Sequence, residues 1–174
     1  MKIVTFCFLS LVACGGGGST DEPVDIDPGY TQTVVRFAPD GSSSVTTTPK
    51  GGLHASAIHQ DTACTSSDLR LFDQENFAGN EICFVGGNGN MWLDLRSYCR
   101  IMRPPIGIVA PMCLATWAGG VRSYYAGFQD GDLSWLIVPN PCRESFGAYT
   151  AHPQVGTCAQ HANELLLYYI GLGY

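Results

Sequence analysis

Downstream of Leu69, apolar and polar residues alternate with a period of two over short runs, the pattern of strands with one face in a core and one in water. Leu69 and Leu71 flank Arg70, the polar run Asp73 to Asn76 makes a fold-back, and Ile82 and Phe84 resume the alternation. Leu69 to Cys83 therefore reads as two short strands closed over a compact hairpin. Upstream, Thr31 to Phe37 and Ser44 to Thr48 are β-rich runs on either side of Ala38-Pro39-Asp40-Gly41, residues that favour a tight turn. Two isolated strands are marginal in water, so this second hairpin either docks on the remainder of the chain or stays only partly ordered.

Further along, Gly86-Gly87-Asn88-Gly89-Asn90 reads as a wide turn, followed by an extended stretch from Trp92 to Leu95. Pro104 and Pro105 after Arg103 cannot lie inside a central strand and mark a crossing loop. Ile106 to Val109 reads as a short strand, and Cys113 to Trp117 as another short element. Gly120 to Gly127 sets Val121, Ser123 and Tyr125 against Arg122, Tyr124 and Ala126; Leu133 to Val138 is a strand ended by Pro139, and Ser145 to Thr150 another. Cys158 to Tyr169 fits two periods. Thr157 can cap a helix with Ala159, Ala162, Leu165, Leu166 and Tyr169 on one face, while Leu165 to Ile170 equally suits a buried strand; the helix is the expectation carried forward.

The first residues differ in kind. Lys2 is followed by the apolar run Ile3 to Ala13, too short for a bilayer-spanning helix of roughly 20 residues and laid out as an export signal. Leu11-Val12-Ala13-Cys14 resembles the lipobox of bacterial lipoproteins. The resemblance implies cleavage before Cys14 and acylation of that cysteine, an anchor made stable by several acyl chains. Gly15 stands where an aspartate would hold such a protein at the inner membrane, so the same resemblance implies an outer-membrane location, periplasmic or cell-surface side. Loss of residues 1–13 removes Lys2, making the mature chain more acidic than the net −6 of the whole. That charge argues against nucleic acid as a partner and against a polybasic membrane patch. Four segments follow: a signal at 1–13; a lipidated cysteine with a flexible, glycine-rich and acidic tether at 14–30; a small hairpin and linker at 31–60; and one β domain at 61–174.

Cysteine usage sharpens the picture. Apart from Cys7 and Cys14, six remain: Cys64, Cys83, Cys99, Cys113, Cys142 and Cys158. In an exported chain an even set reads as disulfides, and neither C-x2-C nor H-x3-H spacing supports zinc. Six cysteines permit fifteen pairings. The near-neighbour set, Cys64 with Cys83, Cys99 with Cys113 and Cys142 with Cys158, is the expectation; each bridge closes a loop of about 15 to 20 residues, worth roughly 3 kcal/mol in the chain-entropy model.

Within the Leu69–Cys83 hairpin lies Phe72-x4-Phe77-x-Gly79. A hairpin bent back over its own sheet needs a residue that tolerates positive φ, and Gly79 supplies it. This spacing resembles the Greek-key signature of βγ-crystallin domains, and Trp117 followed by Val121-Arg122-Ser123 is similar to the closing strand of that motif. The resemblance implies a mainly β fold: an antiparallel Greek-key β-sandwich, disulfide-stapled, with room for one short C-terminal helix.

Many microbial domains of this family bind calcium through a paired Asn/Asp followed two residues later by Ser/Thr-Ser. At the matching place stands Ala118-Gly119-Gly120-Val121-Arg122-Ser123, which lacks both amide or acidic ligands, and the expectation is a degenerate site with no cofactor and no metal. Asp130 and Asp132 read as a turn. His54 and His59 fall in the linker, and His152 and His161 flank Cys158 with no ligand pattern around them. The chain carries neither a G-x-S-x-G elbow nor an H-E-x-x-H helix, and no catalytic residue is assigned. Trp117, Tyr124, Tyr125, Phe128 and Trp135 crowd a short span, and they are the candidate binding aromatics for a protein or carbohydrate ligand. The functional expectation is a non-enzymatic cell-envelope lipoprotein, a surface binding or structural module held to the membrane by its lipid. The alternative is an inhibitor of secreted metalloproteases, as the resemblance to bacterial crystallin-like inhibitors implies, acting through a rigid disulfide-held loop.

Overall fold

Short β-rich runs separated by glycine and proline turns become strands in the computed structural model, which describes residues 29–49, 64–86, 90–103, 105–136 and 141–168. The signal, Cys14, most of the tether, His54, His59 and nearly all of the linker lie outside these residues. In chain order the elements are β1 (Thr31–Phe37), β2 (Ser43–Pro49), β3 (Leu69–Phe72), β4 (Glu81–Val85), β5 (Met91–Asp94), β6 (Cys99–Arg103), β7 (Met112–Thr116), β8 (Ser123–Tyr125), β9 (Asp130–Trp135), β10 (Cys142–Phe146), β11 (Ala151–His152), α1 (Thr157–Gln160) and β12 (Glu164–Tyr168). The fold is mainly β.

Two sheets carry most of these strands. One has the order β11-β8-β3-β4-β1-β2 and the other β10-β9-β12-β5, while β6 and β7 form a separate ribbon. Two sets of four strands repeat the same arrangement. In β4-β3-β8-β11 and in β10-β9-β12-β5, the order is the second, first and fourth strands of one set and then the third strand of the other. Strands β5 and β11 are thus exchanged between the sheets, so neither set completes a sheet without the other.

The core lies between the two sheets, and register explains its membership. Leu71 sits opposite Ile82 and Tyr124, and Leu69 opposite Phe84. Across the gap, Leu165 pairs with both Leu133 and Leu93. All of these side chains are buried, and Trp117, Val121, Val155, Ala159 and Ala162 join the same cluster. Three disulfides complete the frame: Cys64–Cys83, Cys99–Cys113 and Cys142–Cys158, the near-neighbour set. The N-terminal hairpin docks. Strand β1 runs parallel to β4, Val35 is fully buried, and Phe37 stacks near Phe84 at 6.5 Å.

Several local expectations are corrected. The helix over Cys158 to Tyr169 is a single turn, α1, preceded by Gly156 as its cap, and β12 follows at Glu164. Backbone pairing with β9 on one side and β5 on the other makes Glu164 to Leu167 a central strand, and that outweighs the helical spacing of its leucines. Ile106 to Val109 is a turn rather than a strand. The strand expected from Leu133 begins at Asp130, and the one expected over Ser145 to Thr150 occupies Cys142–Phe146, where it pairs with β9. Asp130 and Asp132 therefore stand in a strand and not in a turn. The alternation of Gly120 to Gly127 is not realised: Val121, Ser123, Tyr124 and Ala126 are all buried. Core covers one side of β8, and the β3–β4 fold-back covers the other, where Ser123 Oγ donates to Gln74 O and accepts from Phe77 N.

Candidate functional site

Between β5 and β8, where the other four-strand set has only α1, the chain inserts the β6–β7 ribbon. Its shape follows from local chemistry. Pro105 and Pro111 flank a reversal in which Ile106 N donates to Val109 O at 3.3 Å and Val109 N to Ile106 O at 3.0 Å. Gly107 has φ +57 at the first central position, the residue and conformation that a type II′ hairpin turn requires. Cys99–Cys113 clamps the ribbon behind the turn.

The root of this arm is held to the sandwich on several sides. Trp117 N donates to Tyr98 O at 3.0 Å, and the Tyr98 ring meets Phe84 edge-on at 5.8 Å. Burial, reinforced by the Asp94 carboxylate, pushes the Tyr98 phenol above its ordinary range. Arg100 reaches out of β6: Nη1 bonds Asp73 Oδ2 at 3.0 Å and Nε donates to Thr116 O at 3.2 Å. Asp73 also accepts from the backbone and side-chain amides of Asn80, so the arm is tied to the same fold-back that holds Gly79.

Every residue from Pro105 to Leu114 is exposed, and Ile106, Ile108, Val109, Met112 and Leu114 are all large and apolar; Ile101 and Met102 on β6 are exposed as well. From 104 to 121 the sequence has no charged residue. An exposed apolar surface concentrated in one element marks an interaction site.

The aromatics expected to form a binding surface are divided by the fold. Trp117 and Tyr124 are fully buried and belong to the core, because both sheets close over them. Burial first, and then the Glu144 carboxylate, raise the Tyr124 phenol to about 12. Tyr125 and Trp135 are half-buried, and Trp135 stacks on His161 at 4.8 Å. Phe128 is exposed and pairs with Tyr149 at 5.1 Å. His152 stacks on Tyr124 at 4.8 Å. Of the residues expected to form a Greek-key signature, Phe72 and Phe77 meet edge-to-face at 5.8 Å and Gly79 has φ +82. Asn76 and Phe77 share that left-handed region, at φ 57 and 62.

Among the described residues no group of three or more His, Cys, Asp or Glu side chains converges. At the turn before β8, Arg122 Nη1 donates to the carbonyls of Gly119, Val121 and Gln160 at 3.2, 2.9 and 3.2 Å, so these oxygens already face a cation. On the outer face of β9, Asp132 accepts from Tyr168 Oη, which raises the Tyr168 phenol, and lies 3.7 Å from Arg143.

The arm was not singled out by alternation. The signal that finds it is compositional: a long uncharged, proline-bounded stretch enclosed by two cysteines in an otherwise acidic chain. Comparison with family models, curated proteins and solved structures gave no match for this chain.

Proposed function

We propose that this chain is a non-enzymatic lipoprotein of the outer membrane, a surface binding module built on two βγ-crystallin-like Greek keys, with the β6–β7 arm as its contact element. The reciprocal exchange of β5 and β11 supports the Greek-key part, since it makes two equivalent four-strand sets from a chain whose motif is legible only in the first. The lipid anchor rests on Leu11-Val12-Ala13-Cys14. The observation that carries the binding role is the unbroken exposure of residues 105–114. A monomer that must only remain soluble gains nothing from holding five large apolar side chains in water behind a disulfide.

A photo-crosslinking side chain at position 108, introduced in cells that make the native chain, tests this. The expected product joins the arm to another component of the envelope. Reaction at the control position Val45, on β2, with none at 108 would overturn the assignment.

A second reading, inhibition of a secreted metalloprotease, is favoured by the clamp itself: Cys99–Cys113 and the flanking prolines give the loop the rigidity of an inhibitory element. Incubation of the mature chain with thermolysin-like proteases decides it. Proteolysis undiminished at stoichiometric excess removes this reading and leaves the first.

A further inference from the structure

We propose that the partner of the arm is a phospholipid surface, into whose interfacial layer the turn Ile106 to Val109 inserts. The inference rests on the arm being the contact element and is independent of acylation at Cys14.

Three observations favour lipid over a protein groove. The first is the distribution of apolar surface. A groove covers one side of a ribbon, and a ribbon built for it hides or polarises the other. Here ten consecutive residues are exposed, which requires both sides and the tip to be bare, and the large ones are aliphatic or methionine throughout. A medium that surrounds the ribbon fits such a surface.

The second is the backbone. Apolar surroundings penalise every peptide group left without a partner. At this tip Ile106 and Val109 satisfy each other, Pro105 and Pro111 carry no N–H, and β6 and β7 pair with one another on the way in. The two prolines thus remove two donors that the same turn would otherwise carry into lipid.

The third is charge. No ionised group lies between 104 and 121, so insertion of the tip buries none. Arg103 stands half-buried at the base of the turn, and its Nε is shielded from solvent with no hydrogen-bond partner there. It is the one cation next to the uncharged stretch on the arm's leading strand, and arginine keeps its charge and forks onto phosphate oxygens. Arg100, by contrast, is committed to Asp73.

The test uses the full-length protein extracted from its native envelope and reconstituted into phosphatidylethanolamine–phosphatidylglycerol vesicles whose acyl chains carry bromine. Ile108→Trp places a reporter at the tip, and Val45→Trp places one on β2; the wild type supplies the background of Trp92, Trp117 and Trp135. Trp at 108 is expected to emit as an indole in an apolar medium and to be quenched several-fold more than Trp at 45. Adding Ile106→Asp to the Ile108→Trp chain is expected to return quenching to the control level. Arg103→Ser should weaken quenching in these vesicles, whose two lipids both carry a phosphate.

Equal quenching at 108 and 45 overturns the proposal. So does a tip that is shielded without quenching, which would assign the arm to a protein groove or to a second copy of the chain. The mass of the N-terminal peptide reports acylation separately: an unmodified Cys14 with a quenched tip refutes the anchor and leaves the insertion standing.

Discussion

Gly79 carries two constraints at once. Its φ of +82 is costly for any side chain, and a Cβ there would fall 2.1 Å from Asp73 Oδ1, the carboxylate that binds Asn80 and Arg100. Gly79→Ala is expected to cost about 3 kcal/mol in urea unfolding, as a strained backbone and a displaced carboxylate add. The glycine was legible in the sequence; the left-handed Asn76 and Phe77 were not, because nothing in their identity demands it. Tyr124 gives the second residue-scale prediction. Its folded pKa of about 12 lies above the ordinary 10.0, so the stabilisation it lends is complete below pH 10 and is lost as pH rises through 12. Tyr124→Phe should flatten the fall of the melting temperature across that alkaline window. A slope equal to that of the wild type would show that this phenol is not what titrates.

Among the elements, the arm and the C-terminal strand show opposite limits of periodicity. The arm was expected as two disconnected short runs, since its side chains have no common core to set a period. Its clamp has a distinctive consequence. In the chain-entropy model the Cys99–Cys113 bridge is worth roughly 3 kcal/mol only if the reduced ribbon would still fold. A two-stranded ribbon with no core beneath it is marginal, so the Cys99→Ser/Cys113→Ser pair is expected to fray in the native state. Limited proteolysis should then cut the variant within 101–114, while the sandwich melts with a loss well under that figure. A full-sized loss in global unfolding would mean that the arm is packed more firmly than its exposure indicates. For β12, the run of leucines from Leu165 suits either a helix face or a buried strand, and only the neighbours β9 and β5 choose between them.

For the molecule as a whole, the boundary that composition places near residue 61 is not a boundary of the sheet. Strand β1 pairs with β4 from Gln32 to Arg36, and Val35 fills the core. A chain beginning at residue 61 would leave the edge of β4 open, and open edges template association. Such a truncation is expected to melt at a lower temperature and to form higher-order species by light scattering; a monomer as stable as the longer chain would show β1 to be an accessory. By itself the sequence determined the β class, the hairpin over Asp73 to Asn76 and the turn glycine, because these depend on neighbours close in the chain; its six cysteines pointed to three bridges without selecting one pairing among fifteen. The exchange of β5 and β11, the burial of Trp117 and Tyr124, the choice of strand for β12 and the exposure of the arm were decided only in three dimensions. Each depends on which distant strands close over a residue, and a period of two reports that a face is covered without saying by what.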